Sequence, residues 1–152
     1  MKLTIMRMAA AAIFVAAAGC SGAASPTAAS FAEQDGPVMA RQAGTLTFSS
    51  TQSYDTQTPQ TASGGTGAIG FTGSLQTSTP CYDVTAAVRT RGSTVTVTVT
   101  AASSGSICTQ VITNNNYTGS VSGAAPGTYT FQVVHVTGGS RTTAFSGQVT
   151  VS

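Results

Sequence analysis

The sequence predicts an all-β fold, a single antiparallel β-sandwich of about seven to eight strands over residues 44–152. Three observations point there. Residues 94–100 read TVTVTVT, so Val95, Val97 and Val99 face one way and the threonines the other. A period of two built only from β-branched side chains is the pattern of a half-buried strand. From Gly44 onward, short β-rich runs alternate with clusters of Gly, Ser, Asn and Pro, which punctuate strands. Only 7% of the 152 residues are charged, against 27 Thr and 18 Ser, so the sheet faces that meet water carry hydroxyls in place of ions. The same composition excludes a coiled coil and a charge-driven nucleic-acid binder, because only Arg89 and Arg91 lie close together. The length allows one domain.

Along the chain, residues 44–50 and 68–75 are the first two expected strands, separated by a long polar loop over 52–67. Within it, Gly64-Gly65-Thr66-Gly67 lacks the Lys and following helix of a phosphate-binding loop and reads as a mobile hairpin loop. Residues 82–90 place Tyr82, Val84, Ala86 and Val88 on one face, and Arg91-Gly92-Ser93 turns the chain into the TVTVTVT run, giving a hairpin. A loop is expected over 101–106, a strand over 107–113, and a turn at Asn114-Asn115-Asn116, whose side chains tolerate left-handed backbone. Strands over 117–122, 128–137 and 144–151 complete the set, joined by Gly/Pro and Gly-Gly-Ser breaks. The outward threonines keep the nearly uncharged sheets soluble, and Tyr54, Tyr117 and the 52–67 loop are candidates for an exposed contact patch.

The stretch Val121-Ser122-Gly123-Ala124-Ala125-Pro126-Gly127-Thr128-Tyr129-Thr130-Phe131 resembles the tyrosine corner of fibronectin type III and related bacterial immunoglobulin-like domains. The resemblance implies an immunoglobulin-like sandwich in which Tyr129 opens a long strand and ties its hydroxyl to nearby backbone.

The N-terminus carries a different signal. Lys2 to Arg7 is cationic and residues 8–18 are uncharged, the flanks and length of a secretory leader over residues 1–19. Eleven helical residues cover about 16 Å, roughly half a bilayer, so this run is too short to span one. It ends in Ala17-Ala18-Gly19-Cys20, which resembles the lipobox of bacterial lipoproteins. The resemblance implies that Cys20 is acylated and becomes the first residue of the mature protein, with the lipid bilayer as a partner. Ser21, not being Asp, implies sorting to the outer membrane where the host has two membranes. The alternative is cleavage by the ordinary signal peptidase, leaving Cys20 lost or idle. Without the leader, Arg41, Arg89, Arg91 and Arg141 balance Glu33, Asp35, Asp55 and Asp83, a net charge of 4 − 4 = 0. Residues 20–43, small and polar with two prolines, read as the lipidated Cys followed by a flexible tether. At full stretch, 23 residues reach roughly 75 to 80 Å; Phe31, Val38 and Met39 are the residues that could instead add a short leading strand.

Three cysteines in an exported chain leave one unpaired, and lipidation of Cys20 leaves Cys81 and Cys108 as a disulfide. If the strands after Cys81 ran up, down and up in one sheet, the outer two would lie about 9.6 Å apart. A disulfide needs Cα atoms within about 7 Å. The third strand, over 107–113, is therefore expected to leave that sheet for the opposite one, unless a bend closes the gap. A reactive or metal-binding pair is the competing reading, but no Cys-x-x-Cys spacing or His cluster accompanies it.

Catalytic chemistry has little material. His135 is the single histidine and alternates with Tyr129, Phe131 and Val133, which reads as a hydrogen-bonded core histidine. A triad of Asp83, His135 and a serine can be drawn, but no serine lies in a Gly-x-Ser-x-Gly elbow. The four acids are too scattered for paired-carboxylate hydrolysis, and ligands are too few for a metal. No enzyme activity, cofactor or metal is expected. The expected function is a membrane-anchored lipoprotein of the bacterial cell envelope, carrying a non-catalytic binding or structural module for an envelope protein or glycan. The alternative is an inhibitor of exported proteases that presents loops 52–67, 101–106 or 123–127. A carbohydrate-binding module ranks third, since no Trp is present to stack on sugar rings.

Overall fold

The computed structural model describes residues 44–105 and 107–152. The expected leader, Cys20 and the tether lie outside the described residues. Eight strands follow one another: β1 (Thr45–Ser53), β2 (Thr61–Gly65), β3 (Ala68–Thr77), β4 (Tyr82–Arg91), β5 (Thr94–Ser103), β6 (Thr113–Ser122), β7 (Gly127–Thr137) and β8 (Ser140–Val151). They form two four-stranded sheets, ordered β1-β6-β3-β2 and β4-β5-β7-β8, stacked as an all-β sandwich. The strand order differs from the ABED and CFG sheets of immunoglobulin constant domains. What is shared is the two-layer architecture and the corner, where the Tyr129 hydroxyl donates to the Ala125 carbonyl at 2.8 Å.

The alternating patterns build the core. Val95, Val97, Val99 and Ala101 of β5 are buried, as are Tyr129, Phe131 and Val133 of β7, and Ile69, Phe71 and Leu75 of β3 lie opposite with Tyr117 and Val121 of β6. The expected inner face of β4, Tyr82, Val84, Ala86 and Val88, is half-buried against this cluster. Phe71 and Phe131 meet tilted across the two sheets at 5.6 Å between ring centroids, and Phe71 and Tyr117, also tilted, lie 6.3 Å apart within one sheet. Gly119 is required there: a Cβ on it would enter the Phe71 ring.

Four sequence expectations are corrected. Residues 107–112 are loop and not strand, and Asn114–Asn116 is not a turn but the start of β6, between β1 and β3. The physical reason is that every one of these amides finds a partner in its strand position. The Asn115 Nδ2 donates to the Leu75 carbonyl at 3.1 Å and to the Thr77 Oγ1 at 3.0 Å. On the outer face, the Asn114 Oδ1 accepts from the Gln57 Nε2 at 3.0 Å, and the Asn116 Oδ1 accepts from the Thr58 amide at 2.9 Å. The β1–β2 connection thus crosses the outside of the sheet, docked on asparagines. Second, the end of the polar loop forms β2, because Gly64 can lie flush against the Thr150 backbone of β8, where any Cβ would collide. Third, Tyr117 is buried, only 2% exposed, and not part of a surface patch.

The fourth correction concerns direction: β5 and β7 pair in parallel, Val97 opposite Val133, while all other pairs are antiparallel. After β5 the chain crosses to the other sheet as β6 and then returns. Two reversals bring β7 back beside β5 in the same direction. The expected crossing to the opposite sheet after β5 is present, but residues 107–112 make it as a loop and the strand that arrives there is β6.

One long side of the sandwich is closed and the other open. At the closed side the Gly67 amide donates to the Ser152 carbonyl at 3.0 Å and the Ser152 amide to the Gly65 carbonyl at 3.2 Å, tying the β2–β3 turn to the C-terminal end of β8. At the open side lie the edge strands β1 and β4.

Candidate functional site

Inside the sandwich a short polar chain crosses the core. The Tyr117 hydroxyl donates to the Gln60 Oε1 at 2.7 Å, and the Gln60 Nε2 donates to the Ser74 carbonyl at 2.9 Å. With its proton committed to Gln60, that hydroxyl can only accept from the His135 Nε2, 2.8 Å away, so His135 carries its proton on Nε2. Gly73 makes room for the Tyr117 hydroxyl and the Gln60 side chain, since a Cβ there would meet both. Burial raises the Tyr117 pKa to about 12, against a smaller lowering by Gln60, and burial lowers the His135 pKa below its usual value. At neutral pH both groups are therefore uncharged and spent on each other. Asp83 lies on the exposed outer face of β4, so the triad that can be drawn from the sequence is not brought together.

A small apolar cavity of about 190 Å³ opens at the end of the sandwich where β1 begins, lined by Gly44, Val95, Val121, Ala124 and Tyr129. It is of the order of an apolar cavity that admits a single benzene ring. It carries no charged side chain in its lining.

The opposite end is where exposed apolar side chains gather. Ile107 is fully exposed, Ile112 is 61%, Tyr54 59% and Val111 39% exposed, and these are the exposed large hydrophobics among the described residues. Tyr54 follows β1 directly after Ser53, which pairs with Asn114, so it is level with the entry to β6. The other three belong to the 104–112 crossover loop. That loop is braced. Cys81, just before β4, forms a disulfide with Cys108, their Cα atoms 6.1 Å apart, as expected from the sequence. The Ser104 amide donates to the Cys81 carbonyl at 3.1 Å, and the Thr113 Oγ1 donates to the Val111 carbonyl at 3.1 Å. The Gln52 Nε2, reaching from β1, donates to the Pro80 carbonyl at 2.6 Å.

The family model of the ORF11 β-sandwich domain matches residues 72–150, just over half of the chain. The chain belongs to the ORF11 β-sandwich domain family. In this ORF11 β-sandwich the matched stretch runs from within β3 to near the end of β8, and so takes in the disulfide, the apolar loop, the tyrosine corner and the parallel β5–β7 pair. It leaves out β1 and β2. No curated protein and no solved structure matches the chain.

Sequence reasoning missed Ile107, Val111 and Ile112 as surface residues of this ORF11 β-sandwich. Ile107, Thr109, Val111 and Thr113 alternate like a strand, and their period of two hid a loop. The usable signal was Cys108 itself, because a chain leaving one sheet for another needs a non-strand connection at that point. Gln60, the acceptor for Tyr117, carried no signal that separates it from the polar residues around it.

Proposed function

We propose that the chain is an exported lipoprotein, anchored in the cell envelope through Cys20, whose sandwich is a non-catalytic binding module with its contact surface at the disulfide-braced end. The observation that carries this reading is the gathering of Tyr54, Ile107, Val111 and Ile112 at the end opposite Gly44, where the chain enters the domain. An apolar cluster held on a cross-linked loop loses little conformational entropy on binding, and its burial against a partner is favourable. Pairing of Cys81 with Cys108 supports assigning Cys20 to the anchor, since it leaves that residue as the odd cysteine. A clickable fatty acid fed to expressing cells labels the chain and not its Cys20→Ala variant. A photo-reactive residue at position 107 then cross-links to one recurring envelope component, and Ile112→Asp abolishes the product. Label that survives Cys20→Ala sinks the anchor, and cross-linking indifferent to Ile112→Asp sinks the contact surface.

The braced loop also favours a second reading, inhibition of an exported protease, because a covalently tethered loop with a protruding Ile107 suits insertion into a cleft. Inhibition of a protease panel that is lost in Ile107→Asp separates it from the first.

A further inference from the structure

Edge strands expose unpaired backbone donors and acceptors, and native sheets blunt them with bulges, short lengths, prolines, covering segments or charged side chains. Two of the four edges here are managed in this way. β8 carries a register shift opposite Val133 and Val134, and the five-residue β2 is sealed to the C-terminus. β4 has neither device among the described residues. It runs ten residues in unbroken register with β5, contains no Pro and ends its sheet. Its inner-face residues Val84, Ala86 and Val88 remain only half-buried, beside the half-buried Leu46 and Phe48 of β1 across the open side.

The charges on this strand decide what it fits. Its outer face reads Asp83, Thr85, Ala87, Arg89, Arg91, with the acid near one end and the bases near the other. Among the described residues none of the three charged side chains has an ion-pair partner. Laid antiparallel on itself about a two-fold axis through Ala86, the strand places Asp83 opposite Arg89 of the second copy, and Arg89 opposite Asp83. Arg91 falls diagonally beside Asp83, and Val84 meets Val88 on the inner face. Shifting the register by one residue would set inner faces against outer ones, so the pairing is not free to slide by that step. Opposite charges directly across a strand pair are favourable and like charges are not. A β4 that carried only one sign could not do this.

We propose that β4 is a self-pairing edge, and that two copies of this chain join through antiparallel β4–β4 addition centred on Ala86 into one continuous eight-stranded sheet. The two β1 strands come side by side over the same axis, and the half-buried Leu46, Phe48, Val84 and Val88 are covered. The pairing leaves the end bearing Ile107 and Ile112 free, and it does not depend on what that end contacts.

The test uses the full chain in its own membranes with Ala86→Cys. At the axis the two Cα atoms would be about 4.5 to 5.5 Å apart, within disulfide reach, and mild oxidation gives a covalent dimer. Thr85→Cys, displaced from the axis to about 8 Å from its counterpart, stays monomeric. Adding Asp83→Arg to Ala86→Cys lowers the dimer yield about fivefold or more, because each cross-strand attraction becomes a repulsion, and Arg89→Asp does the same. Combining Asp83→Arg with Arg89→Asp restores it. Rescue by the charge swap is a readout that misfolding of either single variant cannot produce. Absence of the Ala86→Cys dimer, equal cross-linking at Thr85→Cys, or a yield indifferent to the charge reversals overturns the proposal.

Discussion

Replacing Tyr117 with Phe removes one oxygen and leaves two partners stranded. The ring keeps its neighbours Phe48, Phe71 and His135, at 5.8, 6.3 and 5.7 Å between centroids, so little packing is lost. What disappears is the acceptor for the His135 Nε2 and the donor for the Gln60 Oε1. A buried polar group without a partner costs about 1 to 3 kcal/mol. Both groups are part-buried, so the lower half of that range applies to each and the sum is about 2 to 4 kcal/mol. For a domain of this size that corresponds to a fall in Tm of roughly 8 to 20 °C. Urea unfolding followed by far-ultraviolet circular dichroism reads the change as a lower midpoint with an unaltered slope. A variant within about 0.5 kcal/mol of the parent would show that water replaces the hydroxyl and that the network is not sealed in the core.

Other outcomes follow from the same structure. Burial lowers the His135 pKa, so the unfolded chain takes up a proton that the folded chain resists; stability is full above pH 6.5 and declines as the pH falls below it, and a His135→Gln variant shows a smaller decline in urea midpoint between pH 7 and 5. For Tyr117 the shift is upward, from 10.0 to about 12, so the stability it contributes is full below pH 10 and is lost as the pH rises toward 12. Replacing Cys81 and Cys108 together by Ala removes a cross-link of sequence separation 27, which costs about 3.5 kcal/mol in calorimetry by the loop-closure relation, and a loss under 1 would show that the crossover loop is ordered without it. Gly119→Ala drives a methyl into the Phe71 ring and lowers stability by about 1 to 3 kcal/mol in the same unfolding assay. Ile107→Asp, at a fully exposed site, leaves stability within about 0.5 kcal/mol of the parent, and a larger loss would mean that the side chain is buried in solution.

Much of the sandwich was legible because it is written in local alternation. The β5 valines and the β4 inner face stand where their spacing placed them, the corner at Tyr129 is where the resemblance to immunoglobulin-like domains implied it, and the Cys81–Cys108 pair is the one that the count of three cysteines left. The errors share a cause. Asn114–Asn116 has the composition of a turn and Ile107–Thr113 the alternation of a strand, and local preference assigned both wrongly. The asparagines are held in a strand by the Gln57 and Thr77 side chains and the Thr58 amide, groups distant in sequence, and no propensity of their own reports those partners. β2 was hidden for the same reason, since Thr61–Gly65 is weak strand former and is held by β3 and by the close approach of β8.

The sequence by itself determined which side of each strong strand turns inward, because a side chain's face is set by its immediate neighbours along a pleated chain. It also pointed to a crossing between sheets at the cysteine pair, because strand spacing exceeds disulfide reach unless the chain bends. Only the tertiary structure decided that β7 returns parallel to β5, that Tyr117 is sealed against His135, and that Tyr54, Ile107, Val111 and Ile112 meet at one end. Those outcomes depend on which strand is chosen as neighbour, a competition among long-range hydrogen bonds and packing contacts that no short window of sequence contains.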